Sequence, residues 1–122
     1  MHELSIAMSL VDIAAEEAVR HSATRVVAVH VRIGVLSGVV PDALQFAWEM
    51  ASGDSAIEGA RLQIEEVPVT IYCEVCHAER TLDSPQHFRC PVCNELALQI
   101  RSGRELALTA LEIEDDHVAA HR

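Results

Sequence analysis

Aromatic side chains are almost missing from this sequence: Phe46, Trp48, Tyr72 and Phe88 are the only four. The core must therefore rest on Val, Leu, Ile and Ala, and with half of the 122 residues hydrophobic there are enough of them to fold. No apolar run approaches the roughly 18–20 residues of a membrane-spanning helix. The first residues lack a basic segment followed by an unbroken apolar stretch, so no secretory signal is expected and the expected compartment is the cytoplasm. Basic residues are scarce, 9 against 19 acidic ones, for a formal net charge of −10. Such a surface repels phosphate backbones and suits cations or basic protein partners better than nucleic acid. A phosphate loop, a Ser/His/Asp pattern and an acid–base pair on a defined framework are also missing. The expectation is a binding protein and not an enzyme.

What is present begins with a helical pattern over residues 4–21. Ser5, Ser9, Asp12, Glu16 and Arg20 form one polar stripe, while Leu4, Ala7, Met8, Val11, Ala14, Ala15 and Ala18 fill the faces between. The stripe is narrow, which predicts a wide buried face. "RVVAVHVRIG" (25–34) predicts a strand, with Val27, Val29, Val31 and Ile33 alternating with Ala28, His30 and Arg32. Pro41-Asp42 opens a second helix, because proline needs no donor at the first helical position. Leu44, Ala47, Trp48 and Ala51 share its core face, and Gly53 stops it. Residues 60–69 predict a second strand with Leu62 and Ile64 inward, and 104–114 a third. In the third, Leu106 and Leu108 follow one phase and Leu111 and Ile113 the other, so either both faces are covered or a bulge falls near Ala110. The order predicts an α+β fold: two helices packed on a three-stranded sheet, with residues 70–103 as an inserted module.

The insert has few aliphatic residues and holds all four cysteines, as "CEVC" (73–76) and "CPVC" (90–93) with 13 residues between the pairs. Two such pairs on tight turns bring four thiolates to the corners of a tetrahedron, the structural zinc arrangement. Asn94 follows the second pair where the backbone often turns left-handed. Four protein ligands leave no open position, so the zinc is expected to be structural and to supply folding energy the insert lacks. The competing readings are a pair of redox dithiols, an iron site, or disulfides. His77 is expected to be a solvated turn residue beside this site.

With the cysteines placed, the chain resembles the HypA/HybF family of hydrogenase nickel-incorporation proteins. The resemblance is carried by "MHELSIA" at the start, "RIGVLSGVVPDALQFAWE", "EGARLQIEEVPV" before the cysteine module, and "SGRELALTALEIE" after it. It runs to about Glu114 and keeps the order of every motif. It implies a metallochaperone that delivers Ni(II) for [NiFe]-hydrogenase maturation, holding nickel at the amino terminus with His2 essential, and zinc at Cys73, Cys76, Cys90 and Cys93. The partners implied are the accessory GTPase HypB and the hydrogenase large-subunit precursor. Some members also serve urease maturation, which makes urease maturation proteins further candidates. The resemblance divides the chain into a nickel-binding α/β domain (1–69 plus 104–122) and a zinc-binding domain (70–103).

Chelate chemistry explains why three residues suffice. The Met1 amine, the His2 amide nitrogen and the His2 Nδ1 close a five- and a six-membered ring on one metal. Glu3 adds a ligand through its amide, which closes another five-membered ring, or through its side chain. Four nitrogens in a plane suit Ni(II). Glu3 also places a negative charge nearby, and the bulky His2 protects Met1 from removal. On the residues alone His2 reads first as a solvated terminal residue, and the resemblance is what turns it toward nickel. His30 is expected to be structural, His21 and His87 carry no pattern, and the tail with His117 and His121 is expected to have only incidental metal affinity. Two other functions remain open at this point: a zinc-ribbon module for protein interaction or nucleic-acid binding, and a dithiol oxidoreductase with a depressed thiol pKa.

Overall fold

The computed structural model describes residues 2–83 and 87–114. Met1 and the tail bearing His117 and His121 lie outside the described residues. The element order is α1 (Glu3–Arg20), β1 (Arg25–Gly34), a 3-10 turn (Val35–Ser37), α2 (Pro41–Ser52), β2 (Arg61–Val67), β3 (Thr70–Cys73), β4 (Ala78–Thr81), β5 (Gln99–Ser102) and β6 (Leu106–Glu114). The strands form two three-stranded sheets, ordered β2-β1-β6 and β4-β3-β5. The α+β expectation holds, and the three strands expected outside the insert make the first sheet. Among the described residues no helix is long and apolar enough to cross a membrane. The chain forms two compact units. One takes in residues through Val31, then Val40–Ile64 and the chain from Leu108 onward; the other takes in Arg32–Val39 and Glu65–Ala107.

In the first unit α1 buries Ala7, Leu10, Val11, Ala14 and Ala18, a single stripe at helical spacing. The wider face expected for α1 is not found: Leu4 and Met8 are exposed, as are Ile13 and Val19. The stripe includes three alanines and packs against α2. In α2, Pro41 occupies the first turn, and Leu44, Ala47 and Trp48 are buried. The Trp48 indole N–H donates to the Ala60 carbonyl at 2.8 Å and the Gln45 amide to the Leu62 carbonyl at 2.8 Å. These bonds fix α2 to the entry of β2 while satisfying the one buried indole. Gly53 ends the helix in an extended conformation (φ −61°).

The burial of β1 departs from simple alternation. Val29, Val31 and Ile33 are buried as expected, but so are Val26 and Ala28 on the opposite face, while Val27 is half-buried. Both faces of this central strand are therefore partly covered, and a half-solvated strand would not read this way. In β6 the half-buried residues include Leu108 and Leu111, three apart, so the phase does change within the strand. The end of β6 is tied to the start of β1. Thr24 N–H donates to the Glu114 carbonyl at 2.8 Å, and Arg25 grips the Glu114 carboxylate through two bonds of 3.0 Å. That guanidinium holds the Glu114 carboxyl below the usual range. His30 pairs with Glu112 at 2.6 Å, in line with a structural role.

The second unit has a small core of Val69, Ile71, Leu82 and Ala97, against which Leu36 and Phe88 pack. Its most demanding backbone contact joins Gly34 to Gly103. Gly34 N–H donates to the Glu105 carbonyl at 2.8 Å, and Leu36 N–H to the Gly103 carbonyl at 2.6 Å. A Cβ on Gly34 would overlap the Gly103 carbonyl group, which is backbone and cannot swing aside. Gly34→Ala is therefore expected to destabilise the protein by about 1–3 kcal/mol or more, read as a lower urea midpoint. A midpoint equal to wild type would show that the contact yields at no cost.

Candidate metal centre

The cysteines sit on two hairpin turns. Cys73 ends β3 and Ala78 opens β4; the two are paired across the ladder, so residues 74–77 form the turn that carries Cys76. The second turn lies inside a bridge between Arg89 and Leu96 and carries Cys90 and Cys93. Backbone bonds close it from within: Asn94 N–H donates to the Cys90 carbonyl at 2.8 Å, and Cys90 N–H to the Glu95 carbonyl at 2.9 Å. Each turn is completed by a left-handed residue directly after its second cysteine, His77 at φ 53° and Asn94 at φ 65°. Asn tolerates this conformation well, as the sequence predicted; His is less common there but still accepted. The reversal lets a turn amide face a sulfur, and Cys76 N–H points at Cys73 Sγ from 3.4 Å.

The four sulfurs lie within 4.8 Å of one another, with Cys73–Cys93 at 3.5 Å and Cys76–Cys90 at 3.9 Å. A tetrahedral site with metal–sulfur bonds of about 2.3 Å has sulfur–sulfur edges of about 3.8 Å, whereas a disulfide brings sulfurs to about 2.05 Å. The spacing fits the metal arrangement, and all four cysteines are free thiols. Cys73 and Cys90 are buried and Cys76 and Cys93 half-buried, so the donors face inward.

Charge makes the same point. Amides of Cys93 and Val92 favour the Cys90 thiolate and lower that thiol to about 6. Cys93 moves the other way: although the Glu95 amide favours its thiolate, burial and the sulfurs of Cys73, Cys76 and Cys90 push it up to about 12. One thiolate forms readily and then opposes its neighbours. Four of them together need a cation in their midst. His77 is exposed and stays outside the cluster, the one group of this kind found among the described residues.

One participant was missed from the sequence. Arg80 pairs with Ile71 two steps along the ladder from Cys73, which places it on the buried face of the β3–β4 hairpin. Its guanidinium meets the sulfurs of Cys76 and Cys90, which hold its proton more firmly. Counting across the hairpin from Cys73 would have found it, had the turn length been known.

The amino-terminal residues are arranged quite differently. His2 is the cap of α1 in extended conformation (φ −89°, ψ 102°), exposed, with its side chain making no capping bond. Its carbonyl accepts from Ile6 N–H at 3.3 Å. Glu3 begins the helix, and its Oε2 accepts from Val40 N–H at 3.2 Å, at the cap of α2. That amide, followed by Glu3's own, holds the Glu3 carboxyl below its usual range. The Glu3 side chain is thus engaged, while the His2 imidazole is exposed and caps nothing.

The family model described as "Hydrogenase/urease nickel incorporation, metallochaperone, hypA" matches residues 1–113. A hydrogenase maturation factor HypA of Roseiflexus sp. (strain RS-1) is 53% identical over 116 residues, 95% of this chain and 94% of the relative. Its counterpart in Chloroflexus aurantiacus is 52% identical over 112 residues, 92% of this chain and 98% of the relative. Among solved structures, that of the Ni metallochaperone HypA from Helicobacter pylori is similar with a TM-score of 0.65 at 27% identity, covering 94% of this chain and 99% of that one.

Proposed function

We propose, from the premise that this chain belongs to the HypA family of hydrogenase-maturation nickel metallochaperones, that it carries Ni(II) on its first three residues. The ligands in this reading are the Met1 amine, the His2 amide and imidazole, and the Glu3 amide. The observation that carries it is the state of His2: exposed, extended, ahead of the first helical turn, with a side chain that makes no capping bond. Amides there have no intrahelical acceptor, so a metal takes them without breaking the helix. The engagement of the Glu3 carboxylate with Val40 favours its backbone nitrogen over its side chain as the ligand. Two deprotonated amides cancel the charge of the dication, which relieves the repulsion from the positive end of α1.

Zinc is the proposed occupant of Cys73, Cys76, Cys90 and Cys93, where it would supply folding energy and take no part in nickel chemistry. The proposed division of labour is nickel handling by residues 1–69 with 104–122 and zinc binding by 70–103. The proposed setting is the cytoplasm. The proposed partners are the GTPase HypB, which would supply the energy of transfer, and the hydrogenase large-subunit precursor as recipient; urease maturation proteins are a second route.

Blocking the amine tests the chelate without changing a side chain. Chain with an uncleaved amino-terminal extension is expected to keep one zinc and lose tight Ni(II) binding, measured by native mass spectrometry and calorimetry. Equal nickel affinity in blocked and free chain would overturn the assignment. Nickel affinity should also fall as pH falls, because amine, amides and imidazole all take up protons in competition with the metal.

A further inference from the structure

We infer that Arg80 is the built-in counter-ion of the four-cysteine site, setting how firmly the site keeps its metal. The inference rests on the zinc reading above. A dication on four thiolates leaves a formal charge of −2, which a half-buried site must offset or expose to water. Arg80 stands where it can offset one unit. Directly opposite residues of an antiparallel ladder share a face, and the register pairs Cys73 with Ala78 and Ile71 with Arg80. Ile71 and Cys73 are almost completely buried, so this is the face turned away from water. The Arg80 Nε is itself buried and finds no hydrogen-bond partner among the described residues, a position an arginine does not take for a surface ion pair. Among the described residues no carboxylate pairs with it.

The sulfurs of Cys76 and Cys90, one from each turn, are the groups that hold the proton of this guanidinium more firmly. It therefore acts on both halves of the site at once. A fixed positive charge there lowers the electron density the two sulfurs present to protons and other electrophiles, and so slows the proton-assisted opening of the first metal–sulfur bond that must precede capture of the metal by a chelator. Lysine would retain the charge but not the planar fork that spans two sulfurs.

The test is zinc transfer from the loaded full chain to the chromogenic chelator 4-(2-pyridylazo)resorcinol at fixed pH. Arg80→Met keeps the stem that packs along the hairpin and removes the charge. It is expected to release zinc about 10–100-fold faster, the range that loss of an outer-shell partner brings. Arg80→Lys should recover most of the difference. Arg101→Met is the control. Arg101 lies in the same unit over the Tyr72 ring at 5.0 Å from its centre. Tyr72 precedes Cys73 in β3 and so faces the opposite side of the sheet. Replacing Arg101 makes the same change in net charge and should leave zinc release at the wild-type rate. Cobalt substitution gives a second readout: the sulfur-to-cobalt charge-transfer band should move to lower energy in Arg80→Met and stay in place in Arg80→Lys. Should Arg80→Met fail to fold, Arg80→Gln takes its place. Equal release from wild type and the uncharged variants, or equal acceleration by Arg101→Met, would overturn the inference. A wild-type chain without one tightly bound zinc would instead overturn the zinc reading, before any variant is compared.

Discussion

His2→Ala is expected to abolish specific Ni(II) uptake while leaving zinc content, helix content and melting temperature as in wild type. The loss should exceed the roughly 10–100-fold that removal of an outer-shell partner brings, because a direct ligand and a chelate ring disappear together. The stability side of the prediction follows from what His2 does in the fold. Its side chain caps nothing and is exposed, and only its carbonyl enters the helix, as acceptor for Ile6. Exposed substitutions of this kind stay within about 0.5 kcal/mol. The combination discriminates sharply, since a damaged fold would lower both metals and a non-ligand histidine would lower neither. Calorimetry on untagged protein, with zinc counted by mass spectrometry, reads both. One equivalent of nickel at wild-type affinity in His2→Ala would sink the amino-terminal site.

Cys73→Ser is expected to have the opposite profile. Zinc should fall from one equivalent to nearly none, and the chain between residues 70 and 103 should become open to proteases. Nickel capacity at the amino terminus should survive. Two magnitudes decide this. The second unit's core consists of Val69, Ile71, Leu82 and Ala97, at about 1.5–3 kcal/mol for each larger side chain. A structural zinc in a small module contributes about 10–16 kcal/mol. The metal term is too large for that core to replace. Serine also leaves a hydroxyl that does not ionise, at a position 1% exposed. Limited proteolysis beside metal analysis checks both halves. A protease-resistant Cys73→Ser without zinc would mean that the aliphatic core suffices.

Much of this was legible before any coordinates. The alternation of 25–34, Pro41 ahead of an apolar helical face, and the switch back to a strand after residue 104 located the first sheet and both helices. The paired C-x2-C spacing located the cysteine site, and even the left-handed Asn94. What escaped notice depends on chain segments distant in sequence. The strands β3, β4 and β5 are four residues each, too short to show a period. Arg80 joins the cysteines only once the register from Cys73 to Ala78 is known. Burial of Val26 and Ala28 reflects cover on a face that alternation alone assigned to solvent. The bond from Val40 to Glu3 spans 37 positions and follows no local rule. The proposed amino-terminal chelate is different again, since the donor set can be listed from the residues but its use for nickel is indicated by family resemblance.

The two cysteine turns also have a topological meaning. Held by one metal, they make the chain between them a closed loop, and the metal is a cross-link in the polymer sense. The entropy of closing such a loop grows only with the logarithm of its length, about 0.6 kcal/mol for a doubling. Extra residues placed after the exposed Asp83 therefore add little to the cost of assembling the site. That makes the loop a suitable place for a fluorophore or an affinity handle, on a protein whose proposed nickel site requires a bare amino terminus.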